Sequence, residues 1–278
     1  MTSLAEAEPD VPSTRGPLAF EKYEGLGNDF VVVDAAREDA VSTARAIEIC
    51  DRRRGVGADG VLLVLPARGG GDARMKVINA DGSVPEMCGN GLRCVALHVA
   101  RARGLATADM TFDTDAGPRR CLVDDAGARG LVTVDMGVVR VDGPRTIDAG
   151  GASFTVEIAD AGNPHAILFG EWARWEVESI GPRIATAAAF PTGTNVEFAR
   201  AKKGEIDLVV WERGVGITLA CGTGACATAA VACARERAPY DAPIAVHLPG
   251  GTLDITIDRA TGRAIMRGPA RRVFGGSL

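Results

Sequence analysis

The stretches Met87-Cys88-Gly89-Asn90-Gly91 and Ala220-Cys221-Gly222-Thr223-Gly224 decide how this chain is read. Each opens an apolar, alanine-rich run. The two runs align without a gap, with Ala96 and Ala100 opposite Ala229 and Cys233. The cysteines stand 221 − 88 = 133 residues apart. A second pair of landmarks, Gly27-Asn28 and Gly162-Asn163, stands 163 − 28 = 135 apart. Two near-equal offsets indicate an internal duplication, with a period too long for a solenoid. The chain reads as two copies of one domain, each presenting a thiol at a helix start. Such a pair suits moving a proton between two faces of one carbon.

Working outward, short strands dominate. Phe30–Val33, Val61–Leu65 and Met75–Ile78 form a first group broken by Gly and Asp turns. Phe154–Ile158, Ala166–Phe169, Asn195–Phe198 and Ile206–Trp211 form a second, and Leu253–Ile257 and Ala264–Met266 close the chain. Val41, Ala44, Ile47 and Cys50 recur at helical spacing, which predicts an amphipathic helix over Val41–Arg53, with Arg52-Arg53-Arg54 as its solvated end. The runs after each cysteine are apolar nearly all round, and a helix without a polar face is buried. Strands surrounding one central helix, twice over, give a mixed α/β (α+β) fold. The division is expected near Gly127–Gly130, giving repeats over 18–129 and 130–264. Residues 1–17, polar, acidic and Pro-containing, read as a disordered tail.

At 278 residues the chain has room for two moderate domains with ample core. A net charge of −5 and the absence of a dominant basic run argue against a nucleic-acid partner. No apolar stretch reaches the ~18–20 residues of a membrane span, so no membrane partner is expected. Seven cysteines in a chain this long do not resemble a disulfide framework, and a reducing cytoplasm is the expected compartment. No Cys-x-x-Cys or His-x-x-x-His spacing marks a metal site. Gly222-Thr223-Gly224 lacks the Gly-Lys-Ser/Thr ending of a phosphate loop. Neither metal nor cofactor is expected.

The chemistry of Cys-Gly-x-Gly follows from where it sits. The first helical turn leaves N–H groups unpaired and carries partial positive charge. A thiol there is expected to have its pKa lowered, and the glycines let a carboxylate approach the same N–H groups. The duplicated register brings in more residues. Asn79 and Glu212 each stand nine residues before their cysteine, and Asn28-Asp29-Phe30 corresponds to Asn163-Pro164-His165. Asn195 precedes a strand. Arg213 offers a fork for a carboxylate and Glu212 a partner for an ammonium; together they suit an amino-acid headgroup. Cys50, Cys94, Cys121, Cys226 and Cys233 read as core, and His98 and His247 as packing or surface residues.

Taken with Gly25-Leu26-Gly27-Asn28-Asp29-Phe30, Asn79-Ala80-Asp81-Gly82-Ser83, Gly162-Asn163-Pro164-His165, Gly193-Thr194-Asn195-Val196 and Trp211-Glu212-Arg213-Gly214, these motifs resemble the diaminopimelate epimerases, in the family's order and over nearly the whole chain after residue 18. The resemblance implies cofactor-independent interconversion of L,L- and meso-diaminopimelate, in lysine and peptidoglycan precursor synthesis. It implies two pseudo-symmetric barrel-like domains closing over the substrate, with residues 265–278 packing on the first, and a homodimer. Cys88 and Cys221 then match the acid/base pair. His165 and Glu212 match positions that assist the cysteines. Gly89, Asn90, Gly222 and Thr223 match the cradle for the reacting carboxylate, and Asn28, Asn79, Asn163, Asn195 and Arg213, with Glu212, match substrate contacts. The chain departs from the family at Gly60, where many members carry a polar side chain, and at Phe274, where a tyrosine is often found. Three alternatives stand beside this reading: a two-thiol racemase of proline, hydroxyproline or histidine; a thiol hydrolase, which leaves the second cysteine unexplained; and a noncatalytic amino-acid-binding protein of the same fold.

Overall fold

In the computed structural model, residues 17–202 and 204–278 are described. The expected tail over residues 1–17 falls outside them except for Pro17. The first half contains β1 (Ala19–Gly25), β2 (Asn28–Asp34), α1 (Thr43–Cys50), β3 (Gly60–Leu65), β4 (Ala73–Asn79), α2 (Gly89–Ala102), β5 (Ala108–Asp113), β6 (Arg119–Val123) and β7 (Arg129–Val138). The second contains β8 (Arg140–Ala149), β9 (Ala152–Asp160), β10 (Pro164–Phe169), α3 (Arg174–Ala185), β11 (Asn195–Lys202), β12 (Glu205–Glu212), β13 (Gly216–Ile217), α4 (Gly222–Ala234), β14 (Ile244–Leu248), β15 (Gly251–Ile257) and β16 (Arg263–Ser277).

Strands β1 to β7 follow one another in order, and β16 lies between β7 and β1, closing an eight-stranded barrel. The other side of β16 continues through β15, β14, β12, β11, β10 and β9 to β8. One strand thus serves both halves: Ala264–Arg267 pairs with β15, and Arg271–Ser277 pairs with β1. Strand β7 begins inside the glycine-containing break and pairs with β6 and β16, so the chain passes to the second set of strands at Val139. The two sets share a pairing pattern. Parallel pairs β2–β3 and β4–β5 are matched by β10–β11 and β12–β14, with antiparallel pairs between. This is the mixed α/β, barrel-like architecture that the buried helices require.

The helices α2 and α4 fill the two sets. Every residue of α2 from Gly89 to Ala100 is buried, and so is α4 from Gly224 to Cys233. Alanine explains the fit. Ala96, Ala100, Ala225, Ala227, Ala229 and Ala232 show no exposed surface, and their short side chains let strands close on the helix from all sides at interior packing density. The first helix is shorter than its apolar spacing predicts. It starts at Thr43, capped by the Ser42 hydroxyl, and ends at Cys50. The Asp51 carboxylate accepts the Arg53 and Arg54 N–H groups at 2.7 and 2.8 Å, which favours a turn over another helical turn. Arg52 is not a solvated helix end; it bridges Asp29 and Asp59 at 2.6 and 2.8 Å.

Because α4 has no slack, enlarging one of its alanines should be costly. Ala229→Leu is expected to reduce unfolding stability by about 1–3 kcal/mol, read as a lower urea midpoint. An unchanged midpoint would mean that α4 is not enclosed.

Candidate active site

Both cysteines sit in extended conformation at the residue preceding their helix, with φ near −137° at Cys88 and −132° at Cys221. The Cys88 sulfur accepts the Gly91 N–H at 3.4 Å. The Cys221 sulfur lies 3.6 Å from the Thr223 hydroxyl. Cys88 is half-buried and Cys221 buried. The two helix starts meet. Asn90, in the first turn of α2, donates from Nδ2 to the Ala220 carbonyl and to Asn28 Oδ1, both at 3.2 Å. Gly89 and Gly222 flank the Met266 thioether: a Cβ at Gly89 would lie 3.1 Å from its Cε, and one at Gly222 3.1 Å from its Sδ. A side chain at either glycine would press on that methionine.

Polar groups from the surrounding strands converge on this junction. Glu212, at the end of β12, accepts the Thr218 hydroxyl at 2.6 Å. Its negative charge acts on both thiols. His165, wholly buried on β10, lies 2.7 Å from Glu197 Oε1 through Nδ1 and 2.8 Å from Asn163 Oδ1 through Nε2. Asn28 donates to Asp59 at 2.6 Å. Asn195 is buried, and its Oδ1 accepts the Arg213 N–H at 2.9 Å, fixing the end of β12. Asn79 is half-buried and donates to the Ser83 hydroxyl at 2.9 Å. Gly60 pairs with Asn79 across β3 and β4, and a Cβ there would meet the Ile78 carbonyl at 2.9 Å. The backbone leaves no room for the side chain that many family members carry.

Arg213 stands apart. Its side chain is exposed, donates to the Thr192 carbonyl at 3.0 Å, and lines an open cleft of about 530 Å³ with Phe190, Trp211 and Val215. The cysteines do not line that cleft.

The electrostatics reverse one expectation. Both thiols lie above their ordinary value rather than below it. Burial is the main cause at each. At Cys221 the carboxylates of Glu212 and Glu197 add to it, against the Thr223 hydroxyl and Gly224 N–H. At Cys88 the Glu212 charge adds to it, while the Gly91 N–H and the Arg93 charge oppose it. Helix-end donors are present, and desolvation outweighs them. Burial also raises the Glu212 carboxyl, helped by Glu197.

A family model for diaminopimelate epimerase matches residues 20–141 and 158–273. A protein from a Nostoc species, diaminopimelate epimerase 1, is 41% identical over 279 residues, covering 94% of this chain and 99% of its own length. The diaminopimelate epimerase of Synechococcus elongatus is likewise 41% identical, over 94% and 98% of the two chains. This chain belongs to the diaminopimelate epimerase family. Among solved structures, a probable proline racemase from Agrobacterium radiobacter superposes with a TM-score of 0.74 over 94% of this chain and 92% of its own, at 15% identity. A hydroxyproline epimerase from Agrobacterium vitis gives 0.72 over 95% and 91%, at 16% identity. At that identity the likeness is one of fold.

Two groups of this epimerase-family site escaped the sequence reading. Asp59, next to Gly60, holds Asn28 and the Asp29 N–H. Glu197 is wholly buried against His165. A carboxylate flanked by Val196 and Phe198, in a strand whose first five residues are buried, is the signal the sequence offers.

Asn90 is the side chain that joins the halves at this point. Asn90→Ala leaves the Ala220 carbonyl and Asn28 without their donor, so a loss of about 1–3 kcal/mol is expected in urea unfolding. Wild-type stability in this variant would mean that the junction is held elsewhere.

Proposed function

We propose that this chain interconverts L,L- and meso-2,6-diaminopimelate with Cys88 and Cys221 as the two acid/base groups. The observation that carries the reading is the meeting of two cysteine-headed helix starts at one junction, with Glu212 acting on both sulfurs. An α-carbon held between them would present opposite faces to the two sulfurs. A thiolate takes the α-proton from one face, and the other thiol gives its own proton to the opposite face. One C–H bond breaks and one forms, the configuration inverts, and the cysteines exchange protonation states. A single base would tend to return its proton to the face it came from.

The remaining residues divide by what they can hold. The first-turn N–H groups at Gly89, Asn90, Gly222 and Thr223 suit the reacting carboxylate, which gains negative charge as the proton leaves. Glu212 suits the α-ammonium, and His165 stands behind it through Glu197. Asn28, Asn79, Asn163 and Asn195 suit the rest of the amino acid. Arg213, in the outer cleft, suits the distal carboxylate once it releases Thr192. A second amino-acid headgroup is what separates this substrate from proline, hydroxyproline or histidine, and it is the reason Arg213 is needed at all.

The same reading carries a cytoplasmic homodimer. Val273 and Phe274 on β16 are the exposed apolar residues that such a contact would cover. Phe274 packs edge-on against Phe20 at 6.0 Å and keeps the ring without a hydroxyl. Among the described residues no helix is long and apolar enough to cross a membrane.

Incubation with L,L-diaminopimelate in deuterium oxide tests the chemistry. The wild-type protein should incorporate deuterium at the α-carbon and form the meso isomer, while proline and hydroxyproline stay unlabelled. Cys88→Ala and Cys221→Ala should each lose epimerisation while remaining folded. Near-normal turnover with one thiol removed would sink the two-base mechanism. Arg213→Ala should raise the Michaelis constant by about tenfold or more, the loss of one charge-assisted pair, with little effect on melting. Unchanged kinetics would remove Arg213 from the substrate site.

A further inference from the structure

The duplication makes it possible to ask which residues differ between two otherwise equivalent places. Register answers this directly. Phe30 pairs with Gly60 and His165 with Asn195, in the two parallel pairs β2–β3 and β10–β11. Val32 pairs with Leu62 where Ile167 pairs with Glu197. Gly60 pairs with Asn79, and Glu212 closes the corresponding strand β12. Behind Cys88 the three positions hold Phe30, Leu62 and Asn79; behind Cys221 they hold His165, Glu197 and Glu212.

The glycines show that the equivalence is spatial. A Cβ at Gly91, in the first turn of α2, would meet Leu62 Cδ2 at 3.0 Å. A Cβ at Gly224, in the first turn of α4, would meet Glu197 Oε1 at 2.8 Å. One helix start therefore rests on a methyl group and the other on a carboxylate. Glu197 shows no exposed surface, and its Oε2 has no hydrogen-bond partner among the described residues. An apolar residue at 197 would pack this strand as Leu62 does on the other side, so packing alone gives no reason for a buried charge.

We propose that Glu197 is a positioning residue that makes the two thiols unlike: with His165 it keeps Cys221 protonated in the empty enzyme and leaves Cys88 to be the first base. The proposal rests on the two-thiol reading above. The groups facing each sulfur have the required signs. Around Cys221 stand Glu197 on β11 and Glu212 on β12, with His165 on β10 bonded to the former; the neutral Thr223 and the Gly224 N–H oppose them. Around Cys88 stand Glu212, the buried Arg93 on α2, and the Gly91 and Asn90 N–H groups. Glu212 acts on both sulfurs, more closely on Cys221, with which it shares a hydrogen bond. Arg93 and Glu197 add to the difference, one favouring a thiolate at Cys88 and the other opposing it at Cys221.

The test reads each sulfur separately, on enzyme without substrate. Iodoacetamide labelling is followed across pH, with each cysteine quantified by peptide mass spectrometry. The midpoint of the pH dependence is compared rather than the rate, because Cys88 is the more accessible. In the wild type the Cys88 midpoint should lie below that of Cys221. Glu197→Gln removes a negative charge, so the Cys221 midpoint should fall by about one pH unit, with Cys88 unmoved. Glu197→Asp, which keeps the charge, should stay near wild type. A Cys221 midpoint at or below that of Cys88, or one that Glu197→Gln leaves in place while only the melting temperature drops, would overturn the proposal. Even if the glutamine variant does not fold, the wild-type comparison can still overturn the proposal. Labelling needs no turnover, so it stands or falls separately from the deuterium assay that tests the epimerase reading.

Discussion

Two buried helices have to end somewhere, and in this protein they end against each other. A helix enclosed in a barrel still has first-turn N–H groups that need partners. The bonds from Asn90 to Ala220 and Asn28 tie one helix start to the residue before the other. Much else follows. Glycines flank Met266 because the two starts crowd it. The shared strand β16 runs between the halves, supplying Met266 and holding Arg93 through the Pro269 carbonyl at 3.2 Å. First-turn N–H groups and the charges of Arg93, Glu197 and Glu212 thus meet inside an interior that is otherwise largely apolar. An anion is what those N–H groups accept.

Much of this was legible in the residues because the duplication doubled every signal. Cys88 and Cys221 each look like a buried thiol alone; in register they mark a site. The strands were visible from apolar runs such as Val61–Leu65, and the central helices from the absence of a polar face at Ala225–Ala234. What the pattern missed lay where one side chain overrides periodicity. Asp51 stops α1 by taking two N–H groups, which apolar spacing cannot express. Arg52, read as part of a solvated cationic run, finds two carboxylates from distant strands. Glu197 was missed because alignment by likeness highlights the positions that agree. The proposed difference between the thiols sits at the positions that do not.

The direction of the thiol shifts was also beyond the sequence. A cysteine at a helix start is ordinarily a depressed thiol, and both of these are raised. The reason is that the same closure which gathers the N–H groups also excludes water, and desolvation of a thiolate outweighs a few partial charges. Sequence shows the cap; it does not show how completely the barrel closes over it.

That reversal bears on the chemistry rather than against it. An amino-acid α-hydrogen is far less acidic than any thiol, so the proton transfer is uphill by the difference between the two. Raising the thiol narrows that difference, since base strength follows pKa in Brønsted fashion. The same shift leaves less thiolate at neutral pH, so basicity is gained at the expense of population. A substrate can supply part of the balance. Its α-ammonium beside Glu212 would cancel the one carboxylate that acts on both sulfurs, favouring the thiolate when there is a proton to remove. On the proposed reading, the carboxylates around Cys221 work in the sense that a proton donor needs, and the neutral residues behind Cys88 in the sense that a base needs. A duplicated fold supplies two equal thiols; an epimerising site needs them unequal at each instant, and the residues that the two copies do not share are the ones able to make them so.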